Sequence, residues 1–227
     1  MNGFIFSWDR IDWPEIWQAA QDTLTMLTVS TLFTVLIGLP LGIVLYLASR
    51  NALTHNSLDR AIYFILSLII NVLRSVPFII LMIMLFPLTK VIVGKTIGVE
   101  GSIPPLIIAA APFFARLVDT SLREVDRGVV EAAQSMGASP WQIIWKVLLP
   151  ESRPGLIAGI TITAVTLVSY TAMSGVIGGG GLGDLALRYG YQRFQTEVMI
   201  VTVFLLVVLV QLLQMAGDWL VKRFVRK

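Results

Sequence analysis

Apolar runs of more than twenty residues, separated by short charged connections, set the pattern of this chain. Five of them are candidate membrane spans. The first runs from Thr23 to Ser49, is uncharged throughout and is bounded by Asp22 and Arg50. The second covers Ala61 to Phe86 and is interrupted by Arg74. The third, Gly101 to Leu122, has an uncharged part that ends early at Arg116; the fourth covers Leu156 to Ile177 and the fifth Glu197 to Leu220. Each is long enough for a helix that satisfies its own backbone hydrogen bonds in lipid. Ahead of the first span, Asp9, Asp12 and Glu15 break the apolar character that a cleaved signal peptide needs, and Trp8, Trp13 and Trp17 suggest a segment resting at the membrane interface.

Composition agrees with an all-α membrane protein. Hydrophobic residues make up 56% and charged residues 14% of the 227 positions, and the mean hydropathy is +0.81. That length accommodates about five or six spans of ~20 residues, so a single transmembrane domain over residues 1–227 is expected. Cysteine is absent and His55 is the one histidine, in a polar connection. The spans therefore offer no thiolate, imidazole or paired carboxylates for a metal site or an embedded catalytic centre.

The basic residues orient the chain. With the amino terminus outside, the inner connections carry Arg50 and Arg60, then Arg116, Arg123, Arg127, Lys146 and Arg153, then the tail Lys222, Arg223, Arg226 and Lys227. The outer ones carry Arg10, Lys90, Lys95, Arg188 and Arg193. This asymmetry predicts a cytoplasmic carboxyl terminus and a cytoplasmic segment between the third and fourth spans.

That segment, residues 131–150, is a polar island with helix–turn–helix signals. Glu131, Ala132, Ala133, Gln134 and Met136 favour helix, and Gly137 supplies the left-handed backbone of a helix end. Ser139 is placed as the N-cap and Pro140 as the first residue of a second helix running toward Pro150. Trp141, Ile144, Trp145 and Leu148 fall at i, i+3, i+4 and i+7, which predicts one apolar stripe for burial against another surface.

Glu131-Ala132-Ala133, three residues, Gly137, nine residues and Val147-Leu148-Leu149-Pro150 resemble the EAA loop of ABC importer permeases. An amphipathic helix lying on a membrane surface would share the tryptophan stripe but not the Glu-Ala-Ala opening or the glycine at its offset. The resemblance implies a type I importer permease fold and a bacterial inner-membrane, multi-pass location. It also implies a coupling helix seated on a separate ATPase subunit, with Glu131, Ala132, Ala133, Gly137, Trp141, Ile144, Trp145, Leu148 and Pro150 as the coupling positions.

Two further stretches resemble methionine ABC permeases: Asn71 to Leu81, around Arg74, and Tyr170 to Asp184 with Tyr189-Gly190-Tyr191. In that subfamily five spans, amino terminus outside, form a homodimer with two ATPase subunits and an extracytoplasmic methionine-binding protein. ATP and magnesium would then be held by the ATPase, with no cofactor on this chain and no nucleic-acid partner. A permease for another amino acid or for a small nutrient such as a quaternary amine stays open on these residues. A channel or structural membrane protein would have no need of the loop.

The nucleotide-like motifs fail on context. Gly178, Gly180 and Gly183 satisfy GxGxxG, but they follow a membrane helix rather than a strand. Gly94-Lys95-Thr96 resembles the end of a phosphate-binding loop whose first glycine would fall at Thr89.

Three residues are candidates for the translocation path or gate. Arg74 stands in the second span, where a charge costs at least ~2.5 kcal/mol and must face protein or water. It is either a path-facing or gate-stabilising residue or an arginine bonded to carbonyls between helices. Pro77 is expected to kink that span and free a carbonyl for Arg74 or Ser75. Met173, near the outer end of the fourth span, is either a flexible plug or an ordinary packing methionine. The GxxxG pairs Gly38/Gly42 and Gly155/Gly159 predict close helix packing.

Overall fold

The computed structural model describes residues 11–49 and 57–224, with the side chains of 57–60 left aside. Trp8, Asp9, Arg10, Arg50, His55 and the tail residues Arg226 and Lys227 lie outside the described residues, as does the side chain of Arg60. In chain order the helices are α1 (Trp13–Leu47), α2 (Ser57–Ser75), α3 (Phe78–Met84), α4 (Phe86–Val93), α5 (Gly98–Arg123), α6 (Arg127–Ser135), α7 (Pro140–Ile143), α8 (Leu149–Glu151), α9 (Arg153–Ser174), α10 (Gly181–Leu185) and α11 (Thr196–Phe224). No strand occurs among the described residues.

Four helices, α1, α5, α9 with its 3-10 extension to Ile177, and α11, are long and apolar enough to cross a membrane. A fifth span is reached if α2 and α3 count as one broken crossing. The span from Ala61 to Phe86, expected to kink at Pro77, is broken there into separate helices. Pro77 serves as the N-cap of α3, with φ −55° and ψ 135°, because its ring excludes the residue before it from helical backbone. Arg74 accordingly sits in the last turn of α2 rather than within a continuous span. Helix α1 begins ten residues before Thr23, so Trp13 and Trp17, both exposed, belong to its first turns.

The contacts divide the chain into two compact units. One comprises residues 32–76, 108–163 and 214–227. Here α5 is gripped from two sides by glycines. A Cβ added at Gly42 would lie 2.5 Å from Val118 Cβ and 2.6 Å from the Ala115 carbonyl, and one at Gly38 would lie 2.9 Å from the Phe114 ring. On α9, a Cβ at Gly155 would meet Ser121 Oγ at 2.7 Å and one at Gly159 would touch Leu117 at 3.4 Å. Without side chains at these points the helices approach closely enough for dispersion to hold them, which matters in lipid, where apolar burial supplies little drive. The core continues through Phe114, Val118, Leu122, Ala133, Ile143, Ile144 and Leu148, so the connection from α6 to α8 is part of this unit's interior.

The other unit comprises residues 1–31, 77–107 and 164–213. Its core joins Ile11, Ile16 and Ala19 of the chain start to Leu182, Leu185 and Val198. The glycine-rich segment turns here through Gly178, Gly180 and Gly181, all at φ near +80°. The buried Thr23 hydroxyl donates to the Ala19 carbonyl at 3.0 Å and accepts from the Leu182 amide at 2.8 Å, which fixes the start of α10 on α1. Phe78 stacks on Tyr170 with ring centroids 4.4 Å apart.

Candidate coupling segment and polar track

The helix that leads into the polar island starts at Asp126, whose carboxylate caps α6 by accepting the Gly128 amide at 2.7 Å. Helix α6 ends as the glycine predicts. Gly137 has φ +76°, its amide donates to the Gln134 carbonyl at 2.9 Å, and the Ala138 amide reaches back to the Ala133 carbonyl at 3.1 Å. These paired bonds form a Schellman motif, with the buried Ala133 and its neighbour Ala138 as the apolar contact that accompanies it. Two residues later the chain restarts with a capping box. Ser139 Oγ accepts from the Gln142 amide at 3.4 Å, and Gln142 Oε1 accepts from the Ser139 amide at 2.9 Å. Pro140 occupies the first turn, where its missing N–H is no loss.

The second helix departs from the single stripe. After one α turn at Pro140–Ile143 the backbone widens to a π turn at Ile144–Leu148 before α8 resumes the α pattern. The π turn shifts the side chains off 3.6-residue spacing. Ile143, Ile144 and Leu148 turn into the core, with exposures of 1%, 2% and 0%. Trp141 and Trp145 turn out, 65% and 54% exposed, with their rings edge to face at 5.6 Å. Of the remaining loop positions, Glu131, Ala132, Gln134, Met136 and Gly137 are exposed, Ala133 is buried and Pro150 half-buried. The predicted stripe is thus two surfaces, an inward one of isoleucine and leucine and an outward one of tryptophan. Beside it, Ser121, Glu124, Asp126, Glu151 and Gly155 help line a cavity of about 280 Å³.

A polar track crosses the faces of α2 and α5 in the same unit. Asp119, buried to 3% side-chain exposure, accepts from Arg123 Nε at 2.9 Å and from Arg116 Nη1 at 3.3 Å. Arg116 Nη2 reaches Ser67 Oγ at 3.3 Å and Asn71 Oδ1 at 3.4 Å on α2. One turn further, the exposed Arg74 lies over the Phe113 ring at 5.6 Å. Ser75 Oγ donates to the Asn71 carbonyl at 2.7 Å, so the hydroxyl near Pro77 serves its own helix. Pro77 is exposed. Arg116 counts among the inner charges and Asn71 opens a family-like stretch, but nothing in the sequence pairs them, because they are 45 residues apart and Ser67 is 49 from Arg116. Met173, in the other unit, is 47% exposed in the last turns of α9. Among the described residues no cluster of three or more His, Cys, Asp or Glu side chains is arranged to hold a metal ion.

Similarity to known proteins agrees with this arrangement. Residues 38–227 match the family model of the binding-protein-dependent transport system inner membrane component. A probable D-methionine transport system permease protein, MetI, from Vibrio cholerae is 48% identical over 96% of this chain and 96% of its own length. The methionine import system permease protein MetP of Bacillus subtilis is 46% identical, covering 92% of this chain and 93% of its own. Among solved structures, a chain of the MetNI methionine ABC transporter in inward-facing conformations superimposes with a TM-score of 0.90 at 44% identity, covering 95% of this chain and all of that one. With apolar helices able to span a membrane, an EAA-like loop folded as a capped helix–turn–helix, and a family match over most of its length, this chain belongs to the binding-protein-dependent transport system inner membrane components.

Proposed function

We propose that this chain is the permease subunit of a bacterial ATP-driven importer of methionine, forming the path through the inner membrane. The observation that carries the reading is the 48% identity, over 96% of both chains, with a probable D-methionine permease, together with the 0.90 TM-score to a chain of the MetNI methionine transporter. Five spans with the amino terminus outside, counting α2 and α3 as one broken crossing, fit the charge asymmetry of the connections. Two copies would enclose the path, two copies of a separate ATPase would hold ATP and magnesium, and an extracytoplasmic binding protein would deliver substrate.

Coupling runs through residues 131–150 in this reading. The outward tryptophans and the exposed Glu131, Ala132 and Met136 of the same segment supply the surface for the ATPase, while Ile144 and Leu148 brace that segment on the permease's own core. A rigid linkage of this kind is what an ATPase needs to bias inward-open against outward-open states, since a partner shifts an equilibrium only by binding the two states differently. Gly137 and Ala133 shape the turn, and Pro150 leads the chain on toward α9. Met173 is the proposed gate. The test is uptake of labelled methionine into vesicles carrying the permease, its ATPase and its binding protein. Uptake that requires both partners supports the reading, and ATP-dependent uptake of a different solute would change the substrate.

A further inference from the structure

We infer that Arg74, steadied by Phe113 and by the adjacent Arg116–Asn71 contact, is the permease's own binding point for the carboxylate of the amino acid in transit. The inference rests on the amino-acid importer reading above. Its starting point is a charge in an unusual place. Phe113, beneath the Arg74 guanidinium, is ten residues before the end of α5 at Arg123. A guanidinium packed against a helix able to cross a membrane has to face water, protein or a ligand rather than lipid tails.

Arg74 is exposed, and among the described residues no carboxylate pairs with it. The Phe113 face orients it without neutralising it. Buried Asp119 on α5 is already engaged, shared by Arg116 and Arg123. Arg116's bonds to Ser67 and Asn71, at 3.3 and 3.4 Å, are at the long edge of the range and leave guanidinium donors for a further acceptor. The track therefore carries excess positive charge beside an amide and hydroxyls, a setting for a planar two-oxygen anion that arginine can hold through paired N–H groups. An amino acid delivered to the path presents such a group whatever its side chain.

The experiment uses the complete complex of permease, ATPase and binding protein in vesicles, with uptake of labelled methionine and ATP hydrolysis measured together for wild type, Arg74→Gln and Arg74→Lys. In Arg74→Gln, methionine moved per ATP hydrolysed should fall at least tenfold while hydrolysis stimulated by the loaded binding protein persists, and Arg74→Lys should restore a substantial part. Binding of labelled methionine to the permease–ATPase complex without the binding protein should weaken in Arg74→Gln, and methioninol, which lacks the carboxylate, should fail to compete. Unchanged methionine moved per ATP in Arg74→Gln overturns the assignment. So does a parallel loss of complex yield, hydrolysis and uptake in both variants, which would make Arg74 a packing or dimer residue. If removing anionic lipid from the vesicles brings wild type down to the Arg74→Gln level, the anion is a headgroup phosphate and the inference fails. A wild-type complex that imports no amino acid removes the functional reading itself and this inference with it.

Discussion

Replacing Trp141 with alanine separates the two surfaces of the coupling segment. Trp141 and Trp145 are 65% and 54% exposed, and a fully enclosed tryptophan buries ~150–250 Å², so the pair presents roughly 180–300 Å² to a partner. At ~25 cal/mol per Å² that is about 4–7 kcal/mol gross, of which only a part survives the entropic and desolvation terms of association. A loss of about 2 kcal/mol for Trp141→Ala, the ordinary size for a central aromatic anchor, weakens ATPase binding ~30-fold. The folded permease loses only the edge-to-face ring contact, ~1 kcal/mol, or a few degrees in thermal midpoint. Ile144→Ala, at 2% exposure, should do the reverse at the level of the subunit, destabilising it by ~2–5 kcal/mol. The assay titrates purified ATPase onto detergent-solubilised permease and follows each variant's thermal unfolding. If Trp141→Ala binds ATPase like wild type, or unfolds as easily as Ile144→Ala, the division into an inward and an outward surface is wrong.

Other substitutions follow from the same geometry. Gly42→Val would drive a branched side chain into Val118 and the Ala115 carbonyl, so α1 and α5 must separate; the yield of folded permease should fall sharply, while Gly94→Ala, at an open position with φ +76°, should lose only ~1–2 kcal/mol. Gly137 also has φ +76° and open space around it, so Gly137→Ala should cost the same ~1–2 kcal/mol of local stability through backbone strain alone, and any larger fall in transport per ATP reports contact with the ATPase. Asp119→Ala removes the buried anion shared by Arg116 and Arg123, whose side chains are 27% and 37% exposed, and should destabilise the subunit by ~1.5–3 kcal/mol in thermal unfolding. Met173→Ala should raise ATP hydrolysis uncoupled from uptake if the side chain gates the path, and unchanged basal hydrolysis and uptake would sink that role.

Much of the coupling segment was legible because its signals are local. Gly137, Ser139 and Pro140 act on their own backbone neighbours, so a left-handed turn and an N-cap could be placed from a few letters, and Gln142, three residues after Ser139, completes a capping box by the same logic. The division of the apolar stripe was not legible, because counting i, i+3, i+4 assumes α spacing throughout and the π turn at Ile144–Leu148 breaks that assumption. The glycine pairs pointed to close packing, but a sequence does not say that α5 is the common partner. Pro77 marks a disturbance in the sequence, but not its extent; the break is a new helix start, which puts Arg74 at a helix end. The Arg116–Asn71, Arg116–Ser67 and Thr23–Leu182 bonds join residues 45, 49 and 159 positions apart. Only the fold brings them together.

The most direct measurement is ATP-dependent uptake of labelled methionine by vesicles containing this permease, its ATPase and its binding protein. Accumulation that needs all three proteins, stops when ATP is withheld and is competed by unlabelled methionine is the predicted result. Steady hydrolysis with no methionine inside the vesicles, or assembly of this chain without any ATPase, would contradict the account.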